Sequence, residues 1–326
     1  MTRAPDVTVV VCSFNGAATL GACIDALDGQ TMRDRAQVLV VDDGSRDGTA
    51  AVAARRDVEL VVHGVNRGLA AARNTGWRRA RAPIVAFTDD DCVPRERWLE
   101  ELVSGYGRHE VVAVGGPARA ARADHLLHRY LAANNPLAPL ELDLAVSASV
   151  PYRLWRYLAR SPRDGERAVY ALAGANLSVR REVLERVGGF DERMRFAGED
   201  EDLCRRVRLQ YPDGVLLYRP SAVVDHEFAS SLADTLRRAR AYGRGCGRGF
   251  ALGLQGPIVY PFPVLVSGLA IAGLAAGRAR LVSAAAVAPV LLFPRWAAAA
   301  ARSRSAEPLA YGYIQLLQEA AGTVGF

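Results

Sequence analysis

The chain of 326 residues contains no lysine, few cysteines and no recognisable export signal. All 41 basic residues are therefore arginine, and with 35 acidic residues they leave a formal net charge of +6. Such an excess suits anionic partners, among them nucleotide phosphates, an anionic membrane face and nucleic acid. The five cysteines are scattered without a Cys-x-x-Cys pair, which argues against a disulfide-stapled scaffold or a thiolate zinc site and predicts free thiols in a reducing compartment.

The start of the chain has little hydrophobic sequence. Residues 1–6 are mostly polar, and the apolar run Val7–Val11 is too short for a signal-peptide core. We therefore expect the N-terminal part to stay in the cytoplasm. The length allows one large domain with an appendage and a substantial hydrophobic core.

Apolar runs rich in β-branched residues alternate with amphipathic stretches from Val7 to Phe87. This rhythm predicts alternating strands and helices, and hence a mostly parallel sheet with helices on both faces. Ligands of such sheets bind beyond the carboxyl ends of the strands. A polar motif follows each apolar run: Ser13-Phe14-Asn15, Asp42-Asp43-Gly44-Ser45, Asn66-Arg67-Gly68 and Asp89-Asp90-Asp91.

Three consecutive carboxylates, Asp89 to Asp91, follow the apolar run Pro83–Phe87. Asp89 and Asp91 are separated by one residue and can both turn toward the open end of the sheet, where hard cations such as Mg²⁺ or Mn²⁺ bind. A solvated Asp-rich turn is the alternative interpretation. A second acid group, Glu199–Asp202, lies far along the chain and belongs to no shared local turn.

Six motifs in a fixed order carry a resemblance to a known family. They are Val9-Val10-Val11-Cys12-Ser13-Phe14-Asn15, Val41-Asp42-Asp43-Gly44-Ser45-x-Asp47-Gly48-Thr49, Asn66-Arg67-Gly68 with Ala72-Arg73-Asn74-x-Gly76, Asp89-x-Asp91, Gly188-Gly189-Phe190-Asp191, and Gly198-Glu199-Asp200-x-Asp202-Leu203. Together they resemble a family 2 glycosyltransferase over roughly residues 7–245. The resemblance implies an α/β fold of the GT-A type, a mostly parallel sheet flanked by helices, and an inverting transfer of sugar from a nucleotide-diphosphate sugar to an acceptor hydroxyl.

The residue chemistry fits this resemblance. Departure of a diphosphate needs negative charge to be stabilised, which a cation held by Asp91 with Asp89 nearby would do. Inversion also needs a carboxylate base for the acceptor hydroxyl. By resemblance Asp200 is that base, while Glu199 and Asp202 orient the loop or hold the acceptor. An acidic helix N-terminus, favoured by the helix dipole, is the alternative.

The remaining site residues also follow from the resemblance. Asp43 corresponds to the position that binds the nucleotide base, with Asp42 as the alternative, and Arg73 could reach the nucleotide or its phosphates. His226 matches a position that completes the metal or diphosphate site, although a lone histidine is more often structural. The predicted donor-binding residues are Ser13, Phe14, Asn15, Asp42, Asp43, Asn66, Arg73, Asp89 and Asp90, and the predicted metal ligands are Asp91, Asp89 and His226.

Composition changes after Arg248. Gly249–Gly277 contains no charged residue and is long enough for the ~20 residues that a bilayer requires. The second run, Leu281–Pro294, spans only if it continues through a snorkelling Arg295. Flanking arginines favour a hairpin with both outer ends inside the cell. A buried helical pair of a soluble protein and a shallow interfacial hairpin are the alternatives.

These observations predict two domains, a glycosyltransferase domain over 1–248 and a membrane-associated hydrophobic appendage over 249–326. The tail Leu309–Leu317 could lie on the membrane as an amphipathic helix or pack back on the catalytic domain. We expect a cell-membrane protein with its catalytic domain on the cytoplasmic side, acting in cell-envelope glycan or glycolipid synthesis. Its expected partners are the sugar donor, membrane lipids and a glycan, lipid-linked or small-molecule acceptor.

Three other functions compete with this prediction. A sugar nucleotidyltransferase would carry an early glycine-rich phosphate loop, which Ser13-Phe14-Asn15-Gly16 matches poorly. A degenerate sugar-nucleotide-binding scaffold would not need the intact Asp89, Asp91 and Asp200. Nucleic-acid binding lacks a basic and aromatic reading surface, so we expect no nucleic-acid partner.

Overall fold

The structure is a computed structural model that describes residues 4–143, 163–195, 197–254 and 260–326. The chain divides into two compact units. The first comprises Met1–Arg122, Asn135–Ala145 and Asp164–Phe228, and the second comprises Ala123–Asn134, Val146–Arg163 and Ala229–Phe326. The predicted domain boundary at 248/249 falls inside a helix of the second unit, and the two-domain division stays a prediction.

The strands of the described residues all lie in the first unit. They are β1 (Val7–Ser13), β2 (Ala36–Asp42), β3 (Glu59–Val62), β4 (Ile84–Asp89), β5 (Cys92–Pro94), β6 (Val111–Gly115), β7 (Ala118–Ala120), β8 (Arg167–Ala168), β9 (Asn176–Arg180), β10 (Val215–Tyr218) and β11 (Val224–His226). The helices of the first unit are α1 (Leu20–Asp28), α2 (Thr49–Ala54), α3 (Leu69–Arg78), α4 (Trp98–Ser104), α6 (Arg181–Val187) and α7 (Glu199–Gln210).

Eight of these strands form one sheet in the order β3-β2-β1-β4-β9-β6-β10-β8. Strands β1 to β4 are mutually parallel where they pair, and β6 pairs in parallel with β10. Strand β9 runs antiparallel between β4 and β6, and β8 runs antiparallel at the edge. The predicted α/β class with a mostly parallel, helix-flanked sheet is confirmed.

Alternate residues of β1 show why the sheet is covered on both faces. Val9 belongs to a core layer that it shares with Ile24 of α1. Val10 belongs to the opposite layer, which includes Trp77 of α3. Successive side chains of a strand point to opposite faces, so a strand buried on both sides reads as a continuous apolar run. Helix α3 lies close to β1, because a Cβ added at Gly76 would come within 2.2 Å of Val10 Cγ1.

A second, three-stranded sheet has the order β5-β11-β7. Strand β11 pairs antiparallel with β5, with His226 opposite Cys92. The backbone N–H of Glu227 donates to the carbonyl oxygen of Asp91, 2.9 Å away. This pairing brings the end of β11 beside the acid cluster that follows β4.

The second unit is helical in its described residues. Its helices are α5 (Leu126–Ala133), α8 (Leu232–Ala251), α9 (Pro261–Ala275), α10 (Ala279–Leu292), α11 (Pro294–Ser303) and α12 (Glu307–Gly325). Helices α8 and α12 approach closely, since a Cβ at Gly243 would lie 2.0 Å from the carbonyl oxygen of Gly322. Tyr130, Trp296 and Tyr311 form an aromatic cluster that joins α5, α11 and α12.

The predicted membrane segments can be compared with the described helices in part. None of the described helices is by itself long and apolar enough to cross a bilayer, and α10 and α11 meet the requirement only as a pair bent by 68°. Part of the run Gly249–Gly277, residues 255–259, lies outside the described residues. Arg295, which would have to snorkel if the second run spans a bilayer, donates to Asn134 and Gln315. The tail Leu309–Leu317 lies in α12, which packs along α8.

Candidate active site

The carboxyl ends of three adjacent strands gather predicted donor-binding residues. Ser13 of β1 lies opposite Asp42 of β2, and Cys12 of β1 lies opposite Asp89 of β4. The clustering expected from a parallel sheet is therefore present in the structure. Phe14, which follows β1, keeps 49% of its surface exposed and is available as a wall for a ligand.

Asn15 joins the loops that follow β1 and β2. Its backbone N–H donates to Ser45 Oγ at 2.8 Å, and its side-chain oxygen accepts from the backbone N–H of Arg46 at 2.9 Å. Its φ of 54° places it in the left-handed region that asparagine tolerates better than most residues. Asn15 thus shapes the loop pair, and its predicted contact with the donor stays a prediction.

Asp90 turns back toward β1 and accepts a hydrogen bond from the Ser13 hydroxyl. Burial raises the pKa of Asp90 to about 7; the Ser13 hydrogen bond opposes this shift, and the neighbouring carboxylates of Asp91 and Asp89 add to it. The backbone of Gly16 also approaches closely, since a Cβ there would come within 1.7 Å of Asp90 Oδ2. A bulkier residue than glycine has no room at this turn.

Asp43 is buried and organises the loop after β3. Its Oδ1 accepts from the backbone N–H of Arg67 at 2.9 Å, and its Oδ2 accepts from that of Gly68 at 2.8 Å. Asp42 Oδ1 accepts from the backbone N–H of Ser45 at 2.8 Å and so caps its own turn. Both acids therefore hold the loops that border the predicted base site. Asn66 is exposed in the Asp43-bound loop.

His63 is a site residue that the sequence reasoning missed. Its Nδ1 lies 2.6 Å from Asp43 Oδ1, and its Nε2 lies 2.9 Å from Thr75 Oγ1. It immediately follows β3, so the rule that polar residues at strand ends form the site would have identified it. The histidine links β3 and α3 to the aspartate predicted to bind the base.

Arg73 connects the two acid groups that lie far apart in sequence. Its side chain is 2% exposed; Nη1 lies 2.6 Å from Glu199 Oε1, and Nη2 lies 3.0 Å from Asp89 Oδ1. Burial lowers the pKa of Arg73, but the carboxylates of Asp89 and Glu199 outweigh it and raise the pKa overall. The predicted contact of Arg73 with the nucleotide or its phosphates stays a prediction; in the structure the guanidinium is engaged by the buried Glu199 and the partly exposed Asp89.

The second acid group divides its carboxylates among different tasks. Burial raises the pKa of Glu199 to about 7, an effect that Asp200 increases and Arg73 opposes. Asp200 accepts from the backbone N–H of Gly174 and from that of Glu201, each at 2.8 Å, and is thereby oriented as a base candidate.

Asp202 has its ion-pair partners on its own helix. It is buried and accepts from Arg205 at 2.9 Å and from Arg206 at 2.7 Å, both on its own helix α7. These i, i+3 and i, i+4 pairs stabilise the first turns of α7, where acids also favour the helix dipole. The predicted role of Asp202, orienting the loop or helping to hold the acceptor, stays a prediction beside this helix-stabilising one.

Asp91 and His226 form the best candidate for a cation site. His226 Nε2 lies 3.4 Å from Asp91 Oδ1, and the buried Nδ1 of His226 has no hydrogen-bond partner among the described residues. Carboxylate and imidazole donors suit Mn²⁺ and, through the carboxylate, Mg²⁺. Asp89, the third predicted ligand, has one oxygen bound by Arg73 instead.

Cys92 is near enough to join a three-residue metal group with Asp91 and His226. Burial, reinforced by Asp89 and Asp91, raises the pKa of the Cys92 thiol well above its ordinary value. A metal ligand must be the thiolate, and hard cations prefer oxygen. The thiol therefore packs beside the site, and Asp91 and His226 remain the donors.

The Gly188-Gly189-Phe190 motif contacts Asn74 and Arg73 of α3. Asn74 Oδ1 accepts from the backbone N–H of Phe190 at 2.9 Å, and Asn74 Nδ2 donates to the carbonyl oxygen of Phe190 at 2.9 Å. The Phe190 ring lies 5.5 Å from the guanidinium carbon of Arg73. Two glycines of positive φ make the turn that places this ring.

Comparison of the sequence with known families agrees with this arrangement of acids at the strand ends of a mostly parallel sheet. The sequence model "Glycosyl transferase family 2" matches residues 8–188, more than half of the chain. The chain belongs to glycosyl transferase family 2.

Two known proteins illustrate the similarity in sequence. A "Pre-mycofactocin glycosyltransferase" of Mycobacterium tuberculosis is 34% identical over 241 residues, which are 73% of this chain and 46% of that protein. The "Uncharacterized glycosyltransferase EpsJ" of Bacillus subtilis is 27% identical over 254 residues, 72% of this chain and 67% of EpsJ. The chain thus spans about half the length of its mycobacterial relative.

The fold has a close counterpart among solved structures. The mannosyltransferase PcManGT from Pyrobaculum calidifontis, solved in complex with GDP-Man and Mn²⁺, superposes with a TM-score of 0.59 at 23% identity. The superposition covers 98% of this chain and 86% of that one. It confirms the predicted GT-A type of fold.

Proposed function

We propose that the protein is an inverting glycosyltransferase that moves a sugar from a nucleotide-diphosphate sugar to an acceptor hydroxyl. The observation that carries this proposal is the Arg73 bridge between Asp89 and Glu199. This bridge ties the acid cluster after β4, which includes the candidate cation ligand Asp91, to the first turn of α7, which includes the candidate base Asp200. A donor site and a base on one rigid framework are what a single displacement requires.

A divalent cation, Mg²⁺ or Mn²⁺, would be held by Asp91 and His226 and would stabilise negative charge on the departing diphosphate. The Mn²⁺ and GDP-Man bound to PcManGT support this choice of cofactor and donor class. The loops organised by Asp43 and Asn15 would bind the nucleotide, with Phe14 as a wall. Their hydrogen bonds hold these loops in place before a donor arrives.

Asp200 would remove the proton of the acceptor hydroxyl. Its two oxygens each accept a backbone hydrogen bond, which orients the carboxylate and leaves further lone pairs for the acceptor. A carboxylate on the side opposite the leaving group yields inversion in one step. Glu199 would act as a positioning residue, because Arg73 holds it next to Asp200.

We further propose action at the cytoplasmic face of the cell membrane, in building a cell-envelope glycan or glycolipid. The apolar helices α9 and α10 and the arginines around them support a membrane setting. The acceptor would be a glycan, a lipid-linked molecule or a small molecule.

Thermal unfolding of the purified full chain with UDP-, GDP- and dTDP-sugars tests the donor site, because a ligand bound to the folded state raises the melting temperature. We expect one nucleotide class to stabilise the protein only with Mn²⁺ or Mg²⁺. Asp91→Asn should abolish that stabilisation, whereas the exposed Asp213→Asn should retain it. Equal donor affinity in wild type and Asp91→Asn would contradict the cation assignment.

The base assignment needs a transfer assay. Asp200→Asn should bind the donor as tightly as wild type and lose transfer by about 10²- to 10⁴-fold, the usual contribution of a general base. Transfer by Asp200→Asn at the wild-type rate would disprove the role of Asp200. If the wild-type protein too bound the donor with metal but transferred sugar to no acceptor, the result would favour the sugar-nucleotide-binding scaffold.

A further inference from the structure

The second unit contains a long stretch without a single acidic residue. Between Asp234 and Glu307 the sequence has ten arginines and no aspartate or glutamate. The arginines are Arg237, Arg238, Arg240, Arg244, Arg248, Arg278, Arg280, Arg295, Arg302 and Arg304. Like charges repel one another, so a stretch whose only charged residues are arginines does not by itself favour the compact state.

Two helices within this stretch expose apolar side chains. On α9, Val264, Leu265, Ile271 and Leu274 are 61–71% exposed, and Ser267 is the one polar side chain between Phe262 and Ala275. A helix that is apolar all round is ordinarily buried in a core or in lipid. The exposed apolar side chains of α9 are therefore unfavourably hydrated.

Helix α10 also exposes apolar side chains. Val287 and Leu291 are 49% and 73% exposed. They follow Arg280 at spacings of seven and eleven residues, which places all three on one helix face. Helices α9 and α10 touch at Gly273, where a Cβ would come within 2.9 Å of Leu281 Cβ. We call the exposed side chains Val264, Leu265, Ile271, Leu274, Val287 and Leu291, with Arg278 and Arg280, the arginine-rimmed patch.

We propose that the arginine-rimmed patch docks on an anionic lipid bilayer. Acyl chains cover the leucine, isoleucine and valine side chains, and anionic headgroups neutralise the arginines at the turn between α9 and α10. This inference specifies the partner surface of the membrane association proposed above and is independent of sugar transfer.

Charge distinguishes a bilayer from a second copy of the chain as the occupant. A symmetric dimer places the same patch on both partners, so it would collect Arg278 and Arg280 of both copies in one interface. No carboxylate occurs between Asp234 and Glu307 to neutralise them. An anionic headgroup layer supplies the missing negative charge over the whole patch.

Vesicle flotation of the full chain, diluted from detergent, tests the proposal. One set of vesicles is pure phosphatidylcholine, and the other contains equal parts of phosphatidylcholine and phosphatidylglycerol. We expect binding to the anionic vesicles to be at least about tenfold tighter and to weaken with added salt. Equal binding to both compositions would overturn the proposal.

A matched pair of variants tests the apolar part of the patch. Leu274→Asp lies in the patch, and Leu209→Asp lies on α7 of the first unit with a similar exposure, 71% against 69%. Leu274→Asp should weaken vesicle binding by about tenfold or more, and Leu209→Asp should not change it. Folding of both is checked by their thermal unfolding transitions. A folded Leu274→Asp that floats as wild type does would overturn the proposal.

A second pair tests the arginines without altering apolar surface. Arg278→Gln with Arg280→Gln should weaken binding to anionic vesicles by about fivefold per arginine. The exposed Arg55→Gln with Arg79→Gln carries the same charge change in the first unit and should have no effect. Equal effects of the two pairs would mean that net charge alone drives binding, which contradicts a defined patch.

Light scattering of the same samples separates lipid docking from self-association. A dimer that Leu274→Asp dissociates while vesicle binding is unaltered would assign the patch to a second copy and overturn the proposal. Metal-dependent donor stabilisation is measured in parallel and reports on the first unit. Loss of vesicle binding in Leu274→Asp, with its donor response intact, supports the patch. Absence of a donor response in the wild-type protein contradicts only the proposed transferase.

Discussion

Arg73 is a buried cation placed between the buried carboxylate of Glu199 and the partly exposed carboxylate of Asp89. Burial removes most of the hydration of Glu199, and the guanidinium offsets part of that cost. Removal of the cation leaves Glu199 buried without its ion-pair partner. The stability of this site therefore depends on one side chain.

Arg73→Gln should lower the free energy of unfolding by about 3–5 kcal/mol, as expected when one partner of a buried ion pair is removed. Urea denaturation measures this change. Arg78→Gln on the same helix is the control: its side chain is 53% exposed, and its 3.7 Å ion pair with Glu192 is solvated. It should cost less than about 1 kcal/mol. Equal losses for the two variants would show that Arg73 is not a special support.

Asp90 gives the metal-free protein a pH-dependent stability. Its pKa is raised from 3.8 to about 7 in the folded chain, chiefly by burial. An acid that binds its proton more tightly when folded stabilises the fold below pH 3.8, and this stabilisation is lost as pH rises to about 7.

We therefore expect the free energy of unfolding in EDTA to contain a component that falls by about 3 kcal/mol between pH 4 and pH 7. Asp90→Asn should remove that component, and the exposed Asp213→Asn should leave it. Denaturation curves at several pH values give the comparison. Parallel pH profiles for wild type and Asp90→Asn would contradict the raised pKa.

The site could be predicted only as far as local sequence determines it. Strand ends carrying polar residues identified the positions of Ser13, Asp43 and Asp89 at one edge of the sheet. The partner of Arg73 could not be read in the same way, since Glu199 is distant in sequence and the pairing depends on how α7 packs. The partners of Asp202 are local by contrast, because Arg205 and Arg206 lie about one helical turn away on α7.

At the scale of elements, the loop between α6 and α7 depends on backbone freedom. Gly188 and Gly189 both have positive φ, 78° and 72°. A Cβ at Gly189 would come within 2.4 Å of Trp77 Nε1, whereas one at Gly188 would meet no atom within 4 Å. The two neighbouring glycines thus separate conformational strain from steric overlap.

Gly188→Ala should cost about 1–2 kcal/mol, the penalty for a left-handed residue with a Cβ. Gly189→Ala should cost about 1–3 kcal/mol more, because the added methyl group is forced into a packed site. Thermal and urea denaturation of both variants measure the difference. Equal costs would show that Trp77 moves aside readily.

Sequence rhythm predicted β1 to β4 and their helices well. The side chains of β1, β2 and β4 are largely buried on both faces, so these strands read as apolar runs, whereas β3 lies at the edge and is only partly buried. The position of β9 was beyond such reading, because alternation of apolar residues does not specify which strand lies beside which. Only the packed sheet shows that β9 runs antiparallel between β4 and β6.

At the scale of the whole molecule, each unit is assembled from separated parts of the chain. Helix α5 belongs to the second unit although the sequence on both sides of it belongs to the first. Tyr130 of α5 contacts Trp296 and Tyr311, and Arg129 forms an ion pair with Glu307 at 2.7 Å. Composition could predict the hydrophobic C-terminal region but not this earlier segment, which is ordinary in composition.

Truncation after Phe228 should therefore yield an aggregating protein, because it removes the partners of Tyr130 and leaves an exposed apolar face. A second truncation that also replaces residues 123–134 with a glycine-serine linker should be more soluble. Soluble yield and size-exclusion chromatography compare the two. Identical behaviour would mean that α5 does not depend on the C-terminal helices.

The position of β9 also has a consequence for protein synthesis. Strand β4 leaves the ribosome well before Asn176–Arg180 is made, and at ordinary elongation rates the interval is roughly 5 to 20 seconds. During that time β1 to β4 can associate, but the far edge of β4 has no partner, and an unpaired edge invites other chains. The nascent chain is consequently most in need of chaperone protection between the emergence of its acid cluster and the arrival of β9.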